Sequence, residues 1–140
     1  MTALEYMRGL LRRSACIDAL HERQRHYIAL AARMTASYSG MPGGRRQASR
    51  VEEYACKAAD LARELDRRID EYVDLVREAE RLISRLPDER YRDVLTYRYL
   101  NGWRFPRVAR AMGYECKYIY RLHEQALRAL DAVMDGRGKN

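Results

Sequence analysis

Residues 86–130, LPDERYRDVLTYRYLNGWRFPRVARAMGYECKYIYRLHEQALRAL, decide the fold. Pro87 restricts Leu86 and stops any helix arriving from the N-terminal side, while Asp88 and Glu89 put negative charge into the first turn of a new one. Tyr91, Val94, Leu95, Leu100 and the aliphatic stem of Arg98 give that helix an apolar side, and Asn101-Gly102 marks its end. Phe105 to Met112 reads as a second short helix with Val108, Ala109 and Met112 apolar, closed by Gly113. A third, from Cys116 to about Met134, carries Ile119, Leu122, Ala126, Leu127 and Leu130 on one face. Short helices joined by a tight glycine turn predict a helix-turn-helix over residues 87–134, with a disordered tail at 135–140.

Upstream the rhythm is different. Thr2 and Glu5 form a capping box. Apolar residues then recur at Tyr6 or Met7, Leu10, Ile17, Leu20, Tyr27 or Ile28, Ala31 and Met34, which predicts one amphipathic helix to about residue 36. The run SYSGMPGGRRQA at 37–48 holds three glycines and a proline and reads as a loop. Ser49 and Glu52 suggest a second capping box. Beyond it Val51, Ala58, Leu65, Tyr72, Ala79 and Leu86 fall every seventh residue, with Leu61, Ile69, Leu75 or Val76, and Leu82 or Ile83 between them. The expected class is therefore all-α: a long antiparallel, coiled-coil-like hairpin over residues 1–86, with helices at about 2–36 and 49–86, followed by the helix-turn-helix. At ~1.5 Å per residue each arm is ~50 Å long. Antiparallel pairing places Cys16 near Ile69 and Cys56 near residue 29, so these two thiols cannot join. Two arms cannot cover so long an apolar stripe on each other, which predicts a homodimer through the hairpin.

The chain has 140 residues, 27 basic against 20 acidic, a net charge of +7 carried by 24 Arg and 3 Lys. Such a surface suits a polyanion, and double-stranded DNA is the expected partner. The longest stretch without a charge, 34–44, is rich in Gly and Ser, so neither a transmembrane helix nor a signal peptide is expected, nor a membrane partner. Three cysteines spaced 40 and 60 residues apart fit no disulfide framework or zinc spacing, which suggests reduced thiols in the cytoplasm of a host cell.

Residues 86–130 resemble region 4 of bacterial sigma factors and related helix-turn-helix regulators. The likeness is carried by the leading Leu-Pro, Arg98 to Gly102 as a helix end, Val108-Ala109, Gly113 in the turn, and Ala126-Leu127 with Leu130. The whole chain, including Ser39 to Gly44 and Tyr120-Arg121-Leu122-His123, resembles a narrower family of small phage and prophage proteins proposed to regulate late-gene transcription. The resemblance implies a phage-encoded regulator that binds DNA. It departs from the family pattern where Arg104, Pro106 and Arg107 stand in place of a Ser or Thr cap and paired Glu residues, which makes the start of the first motif helix positive. Pro106 is tolerated there because a first-turn N–H has no intrahelical partner.

Winding the last helix at ~100° per residue puts Lys117, Arg121, Glu124 and Arg128 opposite the apolar face. The N-terminal part of such a helix enters the major groove, so Lys117 and Arg121, flanked by Tyr118 and Tyr120, are the candidate base readers. Residues 98–121 hold six basic side chains against one acid, Glu115. Arg98, Arg104, Arg107 and Arg110 are the candidate phosphate contacts. His123 falls on the core side, where a packed, hydrogen-bonded ring is the simpler reading. His21 and His26 are five apart, not the four a shared metal on one helix face requires. The glycine-rich 37–48 loop lacks the Gly-Lys-Ser ending of a phosphate-binding loop. No catalytic spacing, metal or cofactor is read from the chain, and no enzymatic activity is expected. Two other functions fit the same features. A small-terminase-like DNA-packaging adaptor would form a large ring, and a sigma-like module would bind host RNA polymerase through an apolar contact insensitive to salt.

Overall fold

The computed structural model describes residues 1–38 and 44–137. Five helices and one π-helical turn account for nearly all of them: α1 (Ala3–Tyr38), α2 (Gly44–Ser84), α3 (Glu89–Leu95), the π turn (Thr96–Leu100), α4 (Phe105–Met112) and α5 (Cys116–Arg137). Among the described residues there is no strand, and no helix is long and apolar enough to cross a membrane. Packing divides the chain into two units, Ser14–Glu71 and a second made of Met1–Arg13 with Tyr72–Asn140.

In the unit Ser14–Glu71 the two arms run antiparallel, because partner numbers fall on α2 as they rise on α1. Arg68 reaches the Cys16 sulfur at 3.2 Å, and Tyr27 stacks near Tyr54 with ring centroids 6.0 Å apart. Leu20, Leu61 and Leu65 form the small core, with Ile17 and Tyr27 against it. Cys16 thus meets the residue next to Ile69, as the spacing predicts, and all three cysteines are free. Of the pair Tyr27 or Ile28, Tyr27 is the one turned inward and Ile28 is exposed. Two expectations shift. Ile69, expected on the apolar stripe, is exposed. α2 begins at Gly44, so Ser49 lies inside the helix and caps nothing. A capping pattern at positions i and i+3 recurs by chance in a polar helix, and uninterrupted backbone bonding through Arg45 to Ala48 overrides it. The predicted loop 37–48 therefore shrinks; its residues 39–43 lie outside the described ones.

In the other unit the open end of the hairpin and the C-terminal helices share one core. Ala3, Met7 and Leu10 of α1, with Ala79, Leu82 and Ile83 of α2, are buried with Leu86, Val94, Leu95, Tyr99, Val108 and four residues of α5. The packing boundary therefore crosses both arms, between Arg13 and Ser14 and between Glu71 and Tyr72, and does not fall at Pro87. The Thr2–Glu5 capping box forms in both directions, Thr2 N–H to Glu5 Oε2 at 2.9 Å and Glu5 N–H to Thr2 Oγ1 at 3.1 Å. Asp131 on α5 accepts the next orphan donor, Ala3 N–H, at 2.6 Å. At the far end of α2 the Arg92 guanidinium donates to the carbonyls of Leu86 and Pro87, at 2.6 and 3.2 Å. Asp88 caps α3 by accepting from Arg90 N–H.

The helix expected to run to Asn101 breaks phase at Thr96. Asn101 N–H bonds the Thr96 carbonyl five residues back, a π turn, and Tyr99 becomes the buried residue of the segment instead of Leu100. Gly113 ends α4 at φ +75, in the left-handed region that costs other residues strain. α5 continues to Arg137, so 135–137 of the expected tail are helical, and 138–140 are outside the described residues.

A shared core makes a quantitative demand. Met7 is fully buried, so Met7→Ala should cost about 2–5 kcal/mol. Far-UV and near-UV unfolding curves of the variant should show the C-terminal helices losing stability together with the arm base. Glu80→Ala, at an exposed polar position, should change stability by less than about 0.5 kcal/mol.

Candidate nucleic-acid interface

Two residues, Tyr114 and Glu115, separate Gly113 from α5, whose buried face is Ile119, Leu122, Ala126 and Leu130. That burial fixes which way the rest of the helix points. Lys117, Arg121, Glu124 and Arg128 are all exposed, as the helical winding predicts. Tyr118 and Tyr120 are also exposed but not loose. Tyr118 Oη accepts from the Arg90 guanidinium at 2.7 Å and its ring lies 4.7 Å from that of Tyr114. Tyr120 leans on Phe105, ring centroids 4.8 Å apart. Arg90 also grips Asp88, and this pairing holds the Asp88 carboxyl below its ordinary range and the Arg90 guanidinium above its own.

Arg104 at the N-cap, Arg107 in the first turn and Arg110 in the last turn of α4 are all exposed. Arg104 stands at the N-cap with extended backbone and makes no side-chain cap bond. Its carbonyl accepts from Arg107 N–H and Val108 N–H, and Pro106 fills the first turn. The three arginines, with Trp103 and Pro106, line an open hollow of about 460 Å³.

Arg98, expected among the phosphate contacts, is turned inward instead. One guanidinium nitrogen donates to the Trp103 carbonyl at 3.0 Å, and the group lies 4.7 Å from the Phe105 ring centroid. Its position on the last turn before Gly102 leaves it half-buried between the π turn and α4, where it braces the connecting loop. Arg98 is thus not displayed to solvent with Arg104, Arg107 and Arg110. Conversely, sequence reading missed Arg90, whose link to Tyr118 spans 28 residues and leaves no local signal. It also left Trp103 unplaced. The indole lies parallel to Tyr97, 4.9 Å and 5° apart, and the Arg107 guanidinium sits 4.0 Å from its centroid.

On the inner side of α5, His123 occupies the core-side position predicted for it. Tyr99 Oη lies 2.6 Å from His123 Nε2, and the ring packs against Tyr99 and edge-on to Phe105. Burial, aided by the positive Arg98, lowers its pKa from 6.5 to about 4, while the Tyr99 phenol is pushed up by burial. Among the described residues no three His, Cys, Asp or Glu side chains converge as a metal set would. Compared with known proteins, the chain matches no family model, no curated protein and no solved structure. Its function must be argued from its own residues.

The His123 environment gives a signed pH dependence. The folded state releases this proton first, so between pH 6.5 and about 4 the unfolded chain binds more protons. The neutral-ring contribution is complete above pH 6.5 and is lost as pH falls toward 4. Between pH 7 and 4.5 the parent chain should lose about 1–2 kcal/mol more stability than His123→Gln, a figure reduced for the ring's partial exposure. Parallel stability curves for the two proteins would contradict the assignment.

Proposed function

We propose that this chain is a sequence-specific DNA-binding transcription regulator of the phage or prophage kind, in which α4, the Gly113 turn and α5 act as a sigma region 4-like helix-turn-helix. In this reading α5 lies in the major groove with Lys117 and Arg121 toward base edges, and Arg104, Arg107 and Arg110 meet phosphates.

The observation that carries the reading is a concentration of exposed cations around a single acid, Glu115. On the arms carboxylates are interspersed among the cations, and some cations, Arg25, Lys57, Arg63, Arg67 and Arg68, pair with one three or four residues away. Lys117, Arg121, Arg104, Arg107 and Arg110 have no ion pair among the described residues, and all five are exposed within 18 residues of chain. An unneutralised strip attracts a polyanion and releases its counterions, whereas paired surface charges do so weakly. The same scheme joins two copies through the arms, where Ile28, Ile69 and Val73 stand exposed. Light scattering should then give a mass above 16.5 kDa, and a monomer at tens of micromolar would remove pairing from the scheme.

Selection from a random duplex pool at moderate salt tests the function: a recurrent motif is expected, and a pool that stays random contradicts it. Arg121→Ala should weaken the selected site by about 5- to 150-fold, the worth of a bidentate base contact, and random DNA much less. Arg104→Ala should weaken all sequences about equally and reduce the salt slope by about one. Unchanged affinities in Arg121→Ala would remove α5 from the groove.

A further inference from the structure

The hollow at the start of α4 is built more firmly than a run of surface arginines requires. Trp103 is held by both of its backbone polar groups: its N–H donates to the Tyr97 carbonyl at 3.1 Å, and its carbonyl accepts from Arg98 at 3.0 Å. Arg98 is itself fixed over Phe105. Gly102, at φ +72, makes the turn that brings the indole back over Tyr97. Arg107 then rests on that indole at 4.0 Å, close enough for a cation–π contact. Such a contact uses the flat face of a guanidinium and leaves its N–H edge free for an acceptor. Arg104 and Arg110 stand around the same hollow, and no carboxylate lines it.

We propose that Trp103 is a positioning residue for a phosphodiester clamp: it holds the Arg107 guanidinium ready, so that Arg107, Arg104 and Arg110 together seat one backbone phosphate of a nucleic acid. The inference rests on the DNA-binding reading of α4 and α5 and adds to it a site and an aromatic support. A nucleobase stacked on the indole is the less favoured occupant, because Tyr97 and Arg107 already cover it. Preorganisation is the physical gain. An arginine fixed before binding loses less rotamer freedom when the phosphate arrives.

Trp103 is the chain's single tryptophan, so emission from the full-length protein reports this place alone. Titration with inorganic pyrophosphate, and separately with a random-sequence duplex, should change the emission, and Arg107→Ala should abolish both responses. Trp103→Leu should weaken random-duplex binding about three- to fivefold and lower the salt slope by about one, as Arg107→Ala does. The double variant should be no weaker than Arg107→Ala, since both remove the same contact. Trp103→Phe, which keeps an aromatic face, should retain most of the affinity.

Emission indifferent to both probes overturns the proposal, as does a folded Trp103→Leu with the parent's affinity and salt slope. Losses that add in the double variant overturn it too, because they assign Trp103 a merely structural part. A response to pyrophosphate without one to duplex assigns the hollow to a free phosphate compound and also overturns it. If Trp103→Leu does not fold, Trp103→Phe and the emission response of the parent decide. The two readings fail separately. A failed selection with emission responses intact removes sequence specificity and leaves the clamp, whereas absent responses with an Arg121-dependent preference remove the clamp alone.

Discussion

The burial of one apolar set drawn from both ends of the sequence is the constraint on which the C-terminal geometry depends. Met7 and Leu10 come from the first helix, Leu82 from the end of the second and Leu86 from just past it, and Leu95, Leu122 and Leu130 from the C-terminal helices, yet all are nearly inaccessible to solvent. The helices α3 and α4, at 7 and 8 residues, are too short to be stable in water by themselves, and α5 gains its place from the face it buries. Once Ile119, Leu122, Ala126 and Leu130 are buried, the exposed side of α5 is no longer a choice. Lys117 and Arg121 are outward because the leucines are inward.

Polar anchors then set the details that apolar burial leaves loose. Asp131 ties the last helix to the Ala3 N–H at the start of α1, and Arg92 holds the carbonyls of Leu86 and Pro87 just past the end of α2. The Tyr99–His123 contact keeps a neutral ring in place beneath Phe105, with the positive Arg98 nearby opposing its protonation. Arg98 connects this interior to the surface, because the same guanidinium fixes the Trp103 carbonyl and hence the turn from which α4 starts. The charge that faces outward is arranged by groups that do not themselves face outward.

Features with a local cause were legible in the sequence. The Thr2–Glu5 box, the break at Pro87, the bounds of α4, the left-handed Gly113 and the buried face of α5 each follow from a few neighbouring residues. Whatever depends on distant partners was not. The start of α2 at Gly44 was hidden by a capping pattern at Ser49 that the helix overrides, and the π turn at Thr96 has no signature in apolar spacing. Of the candidate site, the outward cations of α5 were readable from helical winding, and Arg104, Arg107 and Arg110 from the density of basic residues around them. The inward turn of Arg98, the Arg90–Tyr118 bond and the seat of Trp103 were not, because each depends on packing between elements that periodicity cannot order.

The claim that the arm base and the C-terminal helices form one cooperative core is tested most directly by native-state hydrogen exchange. Amides of Leu10 and Leu82 on the arms, and of Val108 and Leu130 in α4 and α5, should open with the same free energy and the same denaturant dependence, as parts of one unit do. If Val108 and Leu130 exchange through an opening that leaves Leu10 and Leu82 protected, the C-terminal helices are a separate module and the shared core is not what orients α5.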